Sequence, residues 1–456
     1  MDGQGLANYF QNLRSPRVFL ILTLLILFSI ISPGSLLSAS PTIRSSFKPH
    51  QQYRFQRDLE NLDQSLIWNQ TYNMSPYDRG YAIVQCQGGG FALFGETEDS
   101  QLHTDLLLIR VDSFGNVLWN LRYDYDGNEQ GIDFVECLDG GFALVGYKPG
   151  EMFLVRTNSM GTPQWYQTFD SIPSCIGASI VHCYTGGFAI LCNVYNEETL
   201  LLRLDEEGVL LWFKIYETTL YDQGDTLVEC HDGGFAFTGT SDNANTPDVM
   251  LFRTDAEGNL LWNQTYGTRG YYMGLGLVEC EDGGFAFTGY IQEWGSSGSF
   301  IWLVRTDAIG VLMWNHTYGD GFGHSILQTR LGAFAITGSI SGVITSYSDV
   351  VFYVINSSGQ LILNWRLGGP YSQVGNSIIE CHDGGFAIVG QAYDQLFFSD
   401  VLMIRIPGVE GQNLFQRIQW YGVVIVLPIL VSVIIVILTI WVFKSKNASL
   451  HKKKLS

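Results

Sequence analysis

Apolar residues in this chain come in short runs with alternating polar positions, and clusters of glycine, aspartate and asparagine break the runs at regular intervals. A period of two followed by a turn signal describes β-strands and tight hairpins, and nothing between residues 62 and 406 has a helical period. One stretch shows the unit. A run from Gly224 ends at Cys230, His231 to Gly234 make a turn, and Phe235 to Gly239 run back. Asp248 to Arg253 then form a third strand, Asp255 to Gly258 turn, and Leu260 to Tyr266 form a fourth. The expectation is a four-stranded antiparallel meander.

The unit occurs seven times. Phenylalanines follow a Gly-Gly or its variant at Phe91, Phe142, Phe188, Phe235, Phe285, Phe334 and Phe386, and tryptophans stand at Trp68, Trp119, Trp165, Trp212, Trp262, Trp314 and Trp365. Both series step by 46 to 52 residues. A period of that size, built of strands that cannot bury their faces alone, predicts an all-β fold: a seven-bladed β-propeller of four-stranded antiparallel blades. The chain opens with an isolated fourth strand around Trp68 and closes with three strands ending at Arg405, so the N-terminal strand is expected to complete the last blade and remove an open sheet edge. Gly80, Gly131, Gly177, Gly224, Gly274, Gly323 and Gly375 each precede their phenylalanine by eleven residues. Invariant spacing implies that the first strand is innermost, where a missing side chain relieves crowding.

These residues resemble the kelch and quinoprotein-like propeller repeats, and more closely the Gly-Gly-Phe repeat propellers of archaeal and bacterial surface proteins. The resemblance covers roughly three quarters of the chain. It implies a fold and a surface location and carries no specific activity.

Loop lengths divide the molecule. Turns between strands one and two, and between three and four, are short and uniform, whereas the connections between two and three and between repeats vary. In an antiparallel meander the two classes lie on opposite faces. We refer to them as the turn face and the loop face, and binding residues are expected on the second. Candidates there are Tyr125, Glu129, Tyr271, Tyr272, Trp294, Phe322, His324 and Tyr371, within loops that also carry Asp99, Asp124, Asp126 and Phe397. Acids beside aromatics suit a glycan, a cationic protein surface, or calcium held by loop oxygens; no other cofactor is implied.

Two apolar segments bracket the repeats. Residues 421–443 carry no charge and, at ~1.5 Å per residue, reach about 35 Å, enough for a bilayer core. Five lysines follow, which the positive-inside rule assigns to the cytoplasm. Val18 to Ser32 follow Arg14 and Arg17 and precede small residues, the pattern of a signal peptide or signal anchor. The expected organisation is therefore 1–40 signal, 41–61 leader, 62–406 propeller outside the cell, 407–419 stalk, 420–443 transmembrane helix and 444–456 basic cytoplasmic tail. The net charge is −19, and setting aside the +5 of the tail and the +1 of residues 1–40 leaves −25 on residues 41–443. Such a domain repels nucleic acid. Asn69, Asn73, Asn263, Asn315 and Asn356 lie in glycosylation sequons.

Catalytic signals are weak. Arg110, Arg156, Arg203, Arg253, Arg305 and Arg405 recur, usually five residues after an acid, and recurrence points to a structural ion pair or hydrogen bond. Six of the eight cysteines occupy one repeated position and read as buried small residues. Cys175 and Cys192 alone break the repeat and form a candidate disulfide, although simple hairpin pairing sets them about four residues out of register. No zinc-ligand spacing is present. The expected function is a membrane-anchored recognition or adhesion module for a glycan or protein. Alternatives are a membrane-tethered hydrolase or lyase working at the axial mouth, where His103, Glu129, His324 and Arg330 are unrepeated, and a structural envelope component.

Overall fold

The computed structural model describes residues 66–99, 103–125, 127–169, 172–194, 198–216, 222–243, 246–267, 270–293, 295, 298–341 and 347–408. The signal segment, the leader, the stalk beyond residue 408, the apolar segment 420–443, the basic tail and Trp294 lie outside them. Among the described residues no helix is long and apolar enough to cross a membrane.

Every regular element described is a strand. Strand β1 (Trp68–Tyr72) stands first and apart. Sheet I holds β2 (Tyr77–Gln85), β3 (Phe91–Glu98), β4 (Thr104–Val111) and β5 (Val117–Tyr123). Sheet II holds β6 (Gln130–Glu136), β7 (Phe142–Lys148), β8 (Glu151–Thr157) and β9 (Pro163–Thr168), and sheet III β10 (Cys175–His182), β11 (Phe188–Val194), β12 (Glu198–Leu204) and β13 (Leu210–Tyr216). Sheet IV comprises β14 (Asp222–Glu229), β15 (Phe235–Asn243), β16 (Thr246–Thr254) and β17 (Leu260–Tyr266). Sheet V comprises β18 (Gly270–Glu279), β19 (Phe285–Glu293), β20 (Phe300–Thr306) and β21 (Leu312–Asp320). Sheet VI is β22 (Phe322–Gln328), β23 (Phe334–Ser341), β24 (Ser348–Ile355) and β25 (Leu361–Leu367). The seventh group is β26 (Gln373–Glu380), β27 (Phe386–Tyr393) and β28 (Ser399–Ile406), and β1 supplies its fourth strand by pairing antiparallel with β28, Trp68 opposite Arg405 and Tyr72 opposite Val401.

The residues that define the repeat in the sequence meet one another in space. Four of the seven Gly-Gly-Phe phenylalanines receive the tryptophan of the preceding sheet edge to face: Trp119 on Phe142, Trp212 on Phe235, Trp262 on Phe285 and Trp314 on Phe334, with centroids 5.9 to 6.4 Å apart. Such pairs add roughly 0.5–1.5 kcal/mol to the burial of their area. The same tryptophan covers the glycine of the next three–four turn; a Cβ on Gly258, whose φ is +75°, would stand 2.7 Å from Trp212. Four residues further along the same strand, Tyr216 donates its hydroxyl to Gly258 O at 2.7 Å, and Tyr72, Tyr123, Tyr266 and Tyr318 do likewise on Gly115, Gly161, Gly310 and Gly359.

Among the described residues there is no single central core. Seven apolar clusters each fill the space between two neighbouring sheets, and one of them joins the last group to the first through Tyr72, Met403 and Val389 against Ile83, Leu93 and Leu107. The repeated glycine has the steric role expected of it. A Cβ on Gly224 would sit 2.7 Å from Leu191 and 2.9 Å from Thr199 of sheet III, and one on Gly80 2.7 Å from Val389. A β-bulge follows this glycine in all seven first strands.

The recurring arginines are structural, with a partner other than the acid five residues before. Arg253 forks onto both oxygens of Asp232 at 2.6 Å, and Arg305 and Arg405 do the same with Asp282 and Asp383. An offset of five along a strand puts two side chains on opposite faces and some 17 Å apart, so the preceding acid cannot reach. The second glycine of Gly-Gly makes room for this guanidinium, since a Cβ on Gly234 would collide with Arg253 Nη1. The six repeated cysteines are buried, and burial pushes their thiols upward, Cys86 to about 12.

Candidate functional site

Both ends of the repeat region leave from the turn face: β1 begins beside Arg405, and Gly408 packs against Asp383 of the last one–two turn. That face is tied sheet to sheet by a contact the sequence reading missed. The last residue of the first strand accepts a hydrogen bond from the backbone of the preceding sheet's turn: Glu136 from Gln87 N, Glu229 from Tyr184 N, Glu279 from His231 N, Gln328 from Glu281 N, Glu380 from Arg330 N and Gln85 from His382 N. Its signal is an acid or amide six residues before the phenylalanine, interrupted only by His182. Arg330 belongs to this network, donating to Glu380 and to the Cys381 carbonyl, and so is on the turn face and away from the mouth where the sequence had suggested it. His103 is on the loop face but exposed, 3.6 Å from Asp99.

On the loop face the expected residues divide into separate groups. Tyr271 is half exposed, but its neighbour Tyr272 points inward and packs on Trp302 with centroids 5.1 Å apart, so Tyr272 is a core residue rather than a contact residue. Strand alternation forces that split, because adjacent residues face opposite ways. Phe322 meets Tyr290 edge to face at 4.7 Å. Tyr371 meets Tyr347 at 5.7 Å. His324 is the bulged residue of β22; its Nδ1 lies 3.0 Å from Gly375 O, donating to it, and burial lowers its pKa below the usual histidine value. It is an inter-sheet strut. Phe397 has φ +65°, the one positive φ outside glycine among the described residues, and is 70% exposed beside Leu396. A strained, solvent-facing aromatic at a loop tip is the kind of outlier that functional surfaces retain.

The densest grouping lies between sheets I and II. Tyr125 stacks on Tyr166 at 4.5 Å and on Phe153 at 5.8 Å, and Lys148 Nζ stands 5.8 Å from the Tyr166 ring. Burial, then Tyr166 and Glu129, push the Tyr125 hydroxyl up to about 12. Glu129 is fully buried, and one oxygen each from Asp105, Asp124 and Glu129 lie within 4.8 Å of one another. Burial raises the carboxyl pKa of Asp105 and of Glu129. A separate open cleft of about 360 Å³ lies between sheets II and III, lined by Pro149, Glu151, Met152, Phe169, Ile172 and Cys175. Of the sequon asparagines, Asn69 and Asn315 are exposed, whereas Asn73 donates to Asp400 and the Asn356 carbonyl caps its own turn.

No protein-family model matches the chain, and no curated protein matches it. Solved structures are similar in fold. Raptor from Chaetomium thermophilum is similar over 89% of this chain and 37% of its own, at 9% identity and a TM-score of 0.50. The WD40 domain of Pan2 from Neurospora crassa covers 74% of this chain and 97% of its own at 12% identity and TM-score 0.46. A protein of unknown function from Bacteroides caccae is similar over 66% and 98%, at 9% identity and TM-score 0.42. Identities this low reach the fold alone. The class is that of β-propeller-like all-β proteins built of repeated four-stranded antiparallel sheets.

Proposed function

We propose that the seven sheets close into a ring and that this propeller is carried outside the cell by the apolar segment 420–443, acting as a recognition or adhesion module for a glycan or protein partner. One observation carries the reading: both ends of the repeat region leave from the turn face, where β1 starts and Ile406 ends. An anchor entered twelve residues after Gly408, at residue 420, would approach from that side and leave the loop face directed away from the bilayer. The loop face also has the varied loops, the exposed Tyr271 and the strained Phe397.

The test uses the full chain in lipid nanodiscs against panels of glycans and surface proteins, beside Tyr271→Ala and Phe397→Gly. Glycine is at ease at φ +65°, so the second change relieves strain and leaves the fold intact. Saturable binding weakened at least about tenfold by either variant is the expected result, the size of a lost interface anchor. Binding untouched by both, or absent throughout, removes the loop-face reading.

A further inference from the structure

The position two residues before the repeated glycine is where a loop-face connection enters a first strand. In sheet I it is Asp78, fully buried, whose carboxylate accepts four hydrogen bonds, from Met74 N, Ser75 N, Ser75 Oγ and Thr97 Oγ1 at 2.6 to 2.9 Å. In sheet II it is Glu129, equally buried, and neither of its carboxylate oxygens meets a donor in good hydrogen-bond geometry, the nearest being the backbone N–H groups of Glu129 itself and Tyr125. A buried carboxylate without well-placed donors is costly unless a positive charge faces it.

What faces it is more negative charge. In the register of β4 and β5, Leu106 pairs with Tyr123, which sets Asp105 opposite Asp124. The corresponding acids of three other sheets face neutral residues: Asp400 is opposite Asn73, Asp248 is opposite Gly267 and Asp349 is opposite Gly368. Like charges directly across an antiparallel pair repel, and here the buried Glu129 joins them. Among the described residues Arg122 is in contact with Asp105 and 3.7 Å from Asp99, and it does not reach the Glu129 carboxylate.

We propose that Asp105, Asp124 and Glu129 hold a hard divalent cation between sheets I and II, and that the cation is calcium. The ligand set is all carboxylate, without thiol or imidazole, which suits a hard ion. Oxygens that all lie within 4.8 Å of one another can share one ion at the ~2.3–2.6 Å of calcium, and three carboxylates on one ion suit calcium's many-oxygen, flexible shell better than magnesium, which keeps several waters and takes one or two carboxylates. Bound there, calcium satisfies the Glu129 carboxylate, relieves the Asp105–Asp124 repulsion and fixes the connection that carries Tyr125. The site stands on these contacts and is independent of the recognition reading.

The full-length protein in detergent, stripped with EGTA, is titrated with calcium by calorimetry, with terbium luminescence sensitised by tyrosine as a second probe. One saturable calcium site per chain is expected, with terbium displaced by calcium and magnesium weaker by at least about tenfold. Calcium should raise the unfolding temperature by about 2–4 °C. Asp124→Asn, at an exposed position, should keep its chelator-state unfolding temperature and lose the calcium shift. Glu129→Gln should be more stable than the parent in EGTA and less stable in calcium, a crossover that a purely structural glutamate would not give. No saturable calcium binding, binding that survives both substitutions, or equal affinity for magnesium would overturn the proposal.

Discussion

At the scale of single residues, the inner strands carry acids whose behaviour with pH follows from where they sit. Asp225 is the bulged residue of β14, and burial pushes its pKa up to about 7, with only Thr240 Oγ1 at 3.3 Å to stabilise the charged form. Asp133 is pushed up to about 6 for the same reason, although Ile180 N, Phe134 N and Ser179 Oγ donate to it. An acid whose folded pKa exceeds its unfolded value of about 3.9 holds its proton in the folded state after the unfolded chain has lost it. Its contribution to stability is therefore greatest below pH ~4 and is lost as pH rises towards 7. Asp225→Asn keeps the contact with Thr240 and removes the titration. The difference in unfolding temperature between variant and parent should shift in the variant's favour across pH 4 to 7. A constant difference across that range would show that Asp225 ionises without hindrance. Nothing in the sequence marked Asp225, because its burial is created by the packing of neighbouring sheets and not by its own strand.

At the scale of elements, the β10–β11 hairpin shows how a register decides chemistry. The sequence reading set Cys175 and Cys192 about four residues apart across the hairpin, and the structure sets them two apart: Cys192 pairs with Gly177, the bulge between Gly177 and Ser179 taking up one residue of the difference. Both side chains are buried, and their sulfurs are 3.0 Å apart. Every other sheet with a described second strand has glycine where Cys192 stands, so two departures from the repeat meet at one point. In an oxidising compartment the two thiols should pass two electrons and two protons to a disulfide-bearing oxidant and form a bond. Mass spectrometry of the native protein, alkylated without reduction, should find this pair two hydrogens lighter and unlabelled while Cys86 and Cys230 label after unfolding. Removing the bridge should cost roughly 3 kcal/mol for a closed loop of this length. Full alkylation of Cys175 and Cys192 in exported protein would defeat the expectation. The hairpins, turns and glycine spacing were legible in the sequence because they depend on neighbours close in the chain. The arginine partners and this cysteine contact were not, since they depend on bulges and on side chains brought in from the next turn.

At the scale of the whole molecule, stability rests on interfaces between sheets, and β1 holds the one between the last sheet and the first. It pairs with β28 along its length, places Trp68 against Gly115 and donates from Tyr72 to the Gly115 carbonyl. A chain beginning after Tyr72 would leave β28 with an unpaired edge and sheet I without its cover. Loss of at least about 3 kcal/mol and concentration-dependent association are expected, read by chemical denaturation and by size-exclusion light scattering. Rescue by a synthetic peptide of residues 62–76 would tie the defect to that strand. A truncated chain as stable and monomeric as the parent would show that the edge needs no partner. The sequence by itself determined the seven repeats, the four strands in each, the two classes of loop and the inward glycine, since a period of two, a positive φ and a missing Cβ are properties of short segments. Only the tertiary structure decided which side chains share a site. It turned Tyr272 into the core, assigned four of the six repeated arginines to turn aspartates, and set the buried Glu129 beside Asp105 and Asp124. Register and the approach of one sheet to the next are distances in space, and residues that alternate identically along a strand are separated by them.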